Sequence, residues 1–308
     1  MDLTRPTRRQ RLRRALLHNP VTVKELRSRM RGARAFTVLT IYLILISAFL
    51  SLVYLTYATA ANQPFGPDPR QAGKPIFGVL LFLQLLLVIF LGPSFTVGAV
   101  TGEKERQTYD LLRTTLLSAH ALVFGKLLSA LSFILLLILA TVPLMSIAFL
   151  LGGVAPVEIA ISQLLVLVAA VTFALIGLFF STLLRSTLAA SVITFGVSLF
   201  ITAGLPTIVL LLAAFFNAAF FSTSFSGIQE VILAYLGLFL AAFNLPATII
   251  ASEVFLVNQN AVFFFTESIG GYRPVLFSPW WVHVILYSIL NLVLYWLCVR
   301  VVRRVPNK

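Results

Sequence analysis

The chain has 308 residues, of which 59% are hydrophobic and only 11% are charged. A soluble domain carries about 25% charged residues, so this composition excludes an ordinary soluble domain and indicates that most of the chain lies in lipid. The formal net charge is +13, and the single cysteine excludes an internal disulfide and any multi-cysteine metal site.

The first 34 residues are strongly basic, with eleven Lys and Arg against two acidic residues. Asn19 and Pro20 are suited to the start of a helix, and apolar residues then recur at spacings of three and four. The adjacent basic face consists of Lys24, Arg27, Arg31 and Arg34. A basic amphipathic helix lies along an anionic membrane surface, although these arginines could instead serve only to orient the first span. We expect residues 1–35 to be cytoplasmic.

Six apolar runs follow that are long enough to cross a membrane, which requires roughly 20 residues for a hydrocarbon core about 30 Å thick. The predicted spans cover residues of about 36–59, 76–100, 121–151, 159–184, 188–216 and 282–302. The first run lies behind 35 mostly polar residues, so we interpret it as a retained anchor and not as a cleaved signal. Residues 36–302 are predicted to form one transmembrane domain, with 303–308 as a cytoplasmic tail.

A polar stretch, VTGEKERQTYDLLRTTLLS, interrupts the apolar sequence between the second and third spans at residues 100–118. If this stretch is a helix, polar residues spaced three and four positions apart form one face, and that face carries both positive and negative charges. That face contains Glu103, Arg106, Gln107, Asp110 and Arg113. The pattern predicts an amphipathic helix at the membrane surface with a face available to a protein. The alternative is a solvated linker with ion pairs worth about 0.2–0.5 kcal/mol each.

Residues 228–257 are apolar enough to span, but Asn244-Leu245-Pro246 interrupts them near the middle. If they form a re-entrant hairpin, twenty Lys and Arg lie on the cytoplasmic side and three on the outer side, namely Arg70, Lys74 and Arg273. If they span, the basic C-terminus lies outside and breaks this bias. We therefore predict an all-α polytopic protein of the cytoplasmic membrane, with six spans, a broken hairpin and both termini cytoplasmic.

The motifs of the common catalytic sites are missing from the sequence. There is no G-x-x-x-x-G-K-[ST] phosphate loop, no H-E-x-x-H and no G-x-S-x-G. The three histidines lie in separate segments. We expect the chain to have no catalytic residue of its own, to bind no cofactor or metal, and to have no nucleic-acid partner.

Glu253 is one of the few acidic residues within the proposed membrane region. An ionisable residue inside a membrane is a candidate functional group, so Glu253 is a candidate for substrate binding or gating. The alternative is that it lies at the outer surface. An ion-driven carrier would need a carboxylate at the membrane centre on a span, and none of the six predicted spans holds one.

Three features resemble the permease subunit of type-2 ATP-binding cassette (ABC) transporters. They are NPVTVKELRSRMRGARAF before the first span, GEKERQTYDLLRTTLLSAHALVFGKLLSA after the second, and the six spans with a broken hairpin. The family pattern is E-[KR]-E-x-x-T-x-x-L-L, then a Leu-Ser turn and a Gly-Lys. The matching residues are Glu103, Lys104, Glu105, Thr108, Leu111, Leu112, Leu117, Ser118, Gly125 and Lys126. Gln107 replaces the common Gly and Leu116 the common Pro.

The resemblance implies that residues 1–34 are the connecting helix and residues 102–118 the coupling helix, which docks on a separate ATPase. The implied coupling residues are Glu103, Lys104, Glu105, Arg106, Gln107, Asp110 and Arg113. It further implies a unit of two permeases and two ATPases in the lipid bilayer, with the substrate path between the permeases. ATP and Mg²⁺ would bind to the ATPase, and transport would be outward.

Two other functions are compatible with the sequence. One is a secondary carrier or channel that works without an ATPase, and the other is a non-transporting membrane anchor for a cytosolic partner. The substrate cannot be read from the spans, because their Phe and Leu side chains are equally suited to face lipid or a second permease.

The charge distribution predicts that the C-terminus and the first interhelical link lie on opposite sides of the membrane. After replacement of Cys298 by Ala, a single cysteine is placed at Asn307 or at Gln71. An impermeant maleimide added to intact cells should label position 71 and leave position 307 unlabelled until the cells are opened. Labelling of position 307 from outside would contradict the predicted topology.

Overall fold

The computed structural model describes residues 33–63, 65–68, 72–109, 118–211, 227–259 and 261–303. The predicted basic helix with Lys24, Arg27 and Arg31 lies outside these residues, as do Asp110, Arg113 and the tail after Arg303. Arg34 falls within the first described helix, two residues before the candidate span that begins at Phe36.

The described residues are mostly helical, as predicted. In chain order the elements are α1 (Ala33–Ala61), α2 (Gly73–Thr96), α3 (Gly98–Glu105), α4 (Ala119–Leu150), α5 (Pro156–Leu183), α6 (Thr187–Leu199), a π-helix (Phe200–Gly204), α7 (Gly227–Ala242), α8 (Leu245–Gln259), β1 (Phe264–Thr266), β2 (Val275–Phe277) and α9 (Pro279–Arg303). Among the described residues, six helices are long and apolar enough to cross a membrane. The predicted number of spans is therefore confirmed.

The bundle has two ends, which we name after lysines. The Lys104 end contains α3, the start of α4 and the loop between α5 and α6. The Lys74 end contains the start of α2, the end of α4 and the start of α5. Side chains near the end of α9 share an apolar cluster with the Lys104 end, namely Cys298, Val299 and Val302 packed with Val100, Leu122 and Val123. Arg303 therefore lies at the same end as α3.

The core forms where α2 and α5 approach each other closely. A side-chain Cβ added at Gly177 of α5 would lie 2.3 Å from Thr96 Oγ1 and 3.0 Å from Pro93 Cα of α2. One at Gly92 would lie 3.2 Å from Phe173 Cβ. Small residues at such crossings let two membrane helices pack with their backbones in contact. The packing of α5 against α2, α4 and α9 makes it the central helix of the described bundle.

The segment predicted as a broken hairpin forms two short helices, α7 and α8, that separate at Phe243 and Asn244. Both helices contact α9. The Asn244 amide donates to the carbonyls of Ile201 and Thr202 at 3.0 and 3.1 Å, within the π-helix. The elbow thus packs against the fifth span, while Glu253 of α8 reaches Lys74. Re-entry of this hairpin into a membrane stays a prediction.

A two-stranded antiparallel sheet follows α8 and was not predicted. β1 and β2 pair with Phe265 opposite Leu276. A tighter turn closes the hairpin, where Ile269 and Tyr272 exchange two backbone hydrogen bonds across Gly270 and Gly271. Both glycines have positive φ, as the favoured two-residue hairpin turn requires. The three-residue strands are too short to give a periodic signal in the sequence.

The close approach at Gly177 predicts that even one added methyl group destabilises the bundle. Gly177→Ala should lower the free energy of unfolding by about 1–3 kcal/mol, because the new Cβ must displace the buried Thr96 hydroxyl and presses on the Pro93 backbone of α2. Unfolding of the purified chain by heat or by SDS titration in detergent measures this. Gly78→Ala is the matched control, since no atom lies within 4 Å of its added Cβ. Equal stability of the two variants would contradict the packing argument.

Candidate functional site

The predicted polar helix of residues 100–118 is interrupted at Gln107. Helix α3 ends at Glu105, and Gln107 has a φ of +56°. The N–H of Gln107 donates to the carbonyl of Lys104 at 3.1 Å, and that of Thr108 to the carbonyl of Glu103 at 2.9 Å. This pair of bonds is the Schellman motif that ends many helices. The prediction of one unbroken helix, with one continuous polar face, is therefore wrong at this point.

The break has a physical cost, because a side chain in the left-handed region is less stable by roughly 1–2 kcal/mol than in the right-handed one. Glycine avoids this cost. The ABC-permease pattern that the sequence resembles has Gly at the position of Gln107, which fits a left-handed turn there. The sequence shows this departure from the family pattern. It does not reveal the turn, because polar residues continue at helical spacing on both sides of Gln107.

Three consecutive residues at the end of α3 contact three different helices. Glu103 contacts α4, Lys104 contacts α5, and Glu105 contacts α6. All three were predicted as residues that meet a partner ATPase. Their contacts within the chain make this segment, which we call the α3 junction (Glu103–Glu105), a connection between four helices at the Lys104 end.

Glu103 forms an ion pair with Lys126, whose Nζ lies 2.7 Å from Glu103 Oε1. Lys126 Nζ also donates to the carbonyl of Ala99 at 2.6 Å. The Lys126 side chain is only 2% exposed, whereas that of Glu103 is 25% exposed. A buried ammonium is costly unless it is paired, so this contact ties α3 to α4 near its start. The second Glu103 oxygen is buried and has no hydrogen-bond partner in the described part of the chain.

Lys104 caps the C-terminal end of α5. Its Nζ donates to three carbonyls there, those of Ser181 at 3.3 Å, Thr182 at 2.5 Å and Leu184 at 2.7 Å. The last carbonyls of a helix have no partner within the helix, and the helix dipole attracts a cation to them. In return, Ser181 Oγ accepts from the N–H groups of Val100 and Thr101 at 2.9 and 3.1 Å.

Glu105 caps the beginning of α6 from outside that helix. Its two carboxylate oxygens accept from the N–H of Thr187 at 2.6 Å and from the Thr187 hydroxyl at 2.8 Å. An anion at a helix N-terminus satisfies N–H groups that the helix leaves free and interacts favourably with the dipole. Ser186, the residue just before α6, makes no capping bond with its own side chain.

The side chains that follow the α3 junction point to solvent. Arg106, Gln107 and Thr108 are exposed. Of the predicted coupling residues, Arg106 and Gln107 are the described ones that remain free to meet another protein. A docking role for any of the predicted residues stays a prediction.

A second charged cluster lies at the Lys74 end. Lys74, at the start of α2, forms ion pairs with Glu253 of α8 and with Glu158 of α5, the latter at 2.7 Å. Glu253 was predicted as a candidate gating or substrate residue, and the structure pairs it with Lys74 of α2, which also pairs with Glu158 of α5. Lys74 and Glu158 were not predicted as members of this cluster, because they are distant from Glu253 in the chain. The predicted topology did place all three residues near the same side.

The elbow of α7 and α8 is also held by α9. His283 is fully buried, and its Nδ1 lies 2.8 Å from the carbonyl of Ala242, the last residue of α7. The Tyr287 hydroxyl donates to the carbonyl of Phe243 at 2.8 Å. Asn244 accepts from the N–H of Ala247 at 3.1 Å and so caps α8. The polar side chains of the elbow therefore satisfy backbone groups left free where the helices end.

Within the described ranges, no group of three or more His, Cys, Asp or Glu side chains is arranged to hold a metal ion. The clusters at both ends engage carboxylates in ion pairs with lysines, one carboxylate for Lys126 and two for Lys74. Their geometry serves to connect helices.

The comparisons with known proteins agree with the fold. The family model described as ABC-2 type transporter matches residues 19–205, which is well over half of the chain. The matched range includes the α3 junction, Lys126 and the Lys74–Glu158 pair. A search of curated proteins found no match.

The Glu103–Lys126 pair gives a testable energetic coupling. Lys126→Met should lower the free energy of unfolding by about 2–4 kcal/mol, since it leaves Glu103 partly buried without its cation. The double variant Glu103→Gln, Lys126→Met should lose less than the sum of the two single losses, because it leaves no unpaired charge. SDS-titration unfolding of all four chains measures this coupling. Strictly additive losses would show that the pair is not coupled.

Proposed function

Because this chain belongs to the ABC-2 type transporter family, we propose that it is the membrane-spanning permease of an exporter driven by ATP hydrolysis on a separate ATPase subunit. Membership of the family makes the chain a permease component of a transporter, and its six apolar helices make it a multi-pass membrane protein. The driving ATPase, the outward direction and the assembly are the parts that we propose.

The observation that carries the proposal is the α3 junction. A transporter whose energy comes from another protein needs a rigid connection between the docking surface and the spans. Glu103, Lys104 and Glu105 supply such a connection, because each ties the end of α3 to a different helix. Movement of the exposed residues that follow the junction would then act on α4, α5 and α6 together.

The sequence supports an external energy source in a second way. It holds no phosphate-loop motif, so ATP and Mg²⁺ would bind to the partner subunit. In this proposal the Lys104 end faces the cytoplasm, in agreement with twenty Lys and Arg on that side against three on the other. The working unit contains a second permease copy, and the basic N-terminal helix lies on the cytoplasmic leaflet.

Charge reversal at Arg106 tests the docking surface. Arg106 is exposed and directly follows the α3 junction, so Arg106→Glu should weaken capture of the ATPase on the order of tenfold by placing a wrong charge in the interface. The chain is affinity-purified from its native membranes with its ATPase, and the bound ATPase and its hydrolysis rate are measured. Arg303→Glu is the matched control, since it makes the same change at an exposed position of the same end.

The outcomes distinguish the competing functions. If Arg106→Glu and Arg303→Glu reduce ATPase capture equally, the effect is one of general charge. If neither variant reduces ATPase capture, Arg106 does not take part in docking. If the ATPase is captured but its rate is unchanged by the permease, the chain is a membrane anchor. If no ATPase is captured and the chain alone moves ions or solutes along a gradient in vesicles, it is a carrier or channel.

A further inference from the structure

An apolar cleft runs between α2 and α8 from the Lys74 end toward the middle of the bundle. Its volume is about 440 Å³, within the range of about 300–1,000 Å³ that is usual for small-molecule sites. Gly78, Phe82 and Leu85 line it on α2, and Pro246 and Ile250 line it on α8. Phe82 and Ile250 are 59% and 65% exposed, so the cleft is open at the side.

The cleft has the length of one membrane leaflet. From Lys74 to Leu85 the helix rises about 16 Å at 1.5 Å per residue, and half of a typical hydrocarbon core is about 15 Å. Lys74 and Glu253 form the end of the cleft that lies at the bundle surface. A ligand that fills this site therefore needs a hydrocarbon part of leaflet length and a polar part at one end.

The charge at the Lys74 end of the cleft determines which head group a ligand in the cleft should carry. Lys74 is shared between Glu158 and Glu253, so the three side chains together carry a formal charge of −1. The Glu158 side chain is 6% exposed, whereas those of Lys74 and Glu253, which both line the cleft, are 27% and 24% exposed. The uncompensated negative charge is thus accessible from the cleft at Glu253.

We propose that the α2–α8 cleft binds a single-chain amphiphile with a positively charged head group, taken up from the surrounding leaflet. The hydrocarbon chain lies between Phe82 and Ile250, and the head group meets the Glu253 carboxylate. Burial of the hydrocarbon chain of the ligand provides the binding affinity. The charge of Glu253 provides the preference for a cationic over an anionic head group. This binding is independent of the export proposal, because it requires neither ATP nor an ATPase.

A cysteine in the cleft reports occupancy directly. Gly78 is exposed and no atom lies within 4 Å of an added Cβ, so Gly78→Cys fits without strain. Gly237→Cys on α7 meets the same two conditions and does not line the cleft, which makes it the control. Both are introduced into the full chain with Cys298→Ala, purified in the neutral detergent digitonin, whose steroid body has no single alkyl chain, and labelled with an uncharged maleimide.

Dodecyltrimethylammonium and dodecanoate are the probes, since they have similar chains and opposite charges. Dodecyltrimethylammonium should protect the Gly78→Cys variant from labelling at a concentration about tenfold lower than dodecanoate, while the Gly237→Cys variant should show no preference. Glu253→Gln, which makes the cluster neutral, should reduce the preference below about threefold. Gel filtration, and an unchanged labelling rate of the Gly237→Cys variant, verify that the chain with Glu253→Gln is folded.

Several results would overturn the proposal. Equal protection by both probes, or better protection by dodecanoate, would exclude a cationic head group. Absence of protection by either probe would exclude an amphiphile site. If the thiol at position 78 resists labelling while the one at position 237 reacts and the chain elutes as a dimer, a second copy covers the cleft. If the variant with Glu253→Gln still prefers dodecyltrimethylammonium over dodecanoate to the same degree, Glu253 does not bind the head group.

Discussion

Hydrogen bonds from charged side chains to the free backbone ends of helices hold the Lys104 end together. Lys104 donates to the last carbonyls of α5, and Glu105 accepts from the first residue of α6. Helix ends leave backbone groups without partners, and these groups are costly to bury in an apolar environment. A chain with few charged residues therefore places several of them where helices begin and end.

At the Lys74 end, charged side chains pair with one another across three helices. Lys74 and Glu158 belong to the first turns of two different spans, and Glu253 joins them from α8. At the elbow, Asn244 uses its amide to reach the carbonyls of the π-helix and its oxygen to cap α8. A π-helix frequently marks a functional position, and here the side chain of another segment binds at it.

Helices α2 and α3 connect the two clusters, since Lys74 opens α2 and the α3 junction ends α3. Between the two ends α2 packs along α5 with glycine at the closest approaches, Gly92 and Gly177. Close backbone packing leaves little space for independent movement of two helices. A displacement at the exposed residues after Glu105 would thus be carried along α2 and α5 as one body, in line with the proposed role of a permease.

The sequence by itself determined the number of spans and the break at Asn244, because long apolar runs and proline are local signals. It also singled out the Glu-Lys-Glu segment and Glu253. Only the tertiary structure decided what these residues contact: Lys126 lies 23 positions from Glu103, Thr187 lies 82 positions from Glu105, and Glu253 is far in the chain from Lys74. It also decided the end of α3, since the left-handed turn at Gln107 interrupts a periodicity that continues through it. Local patterns report which face of a helix is polar, whereas the identity of its partner depends on how separate helices pack.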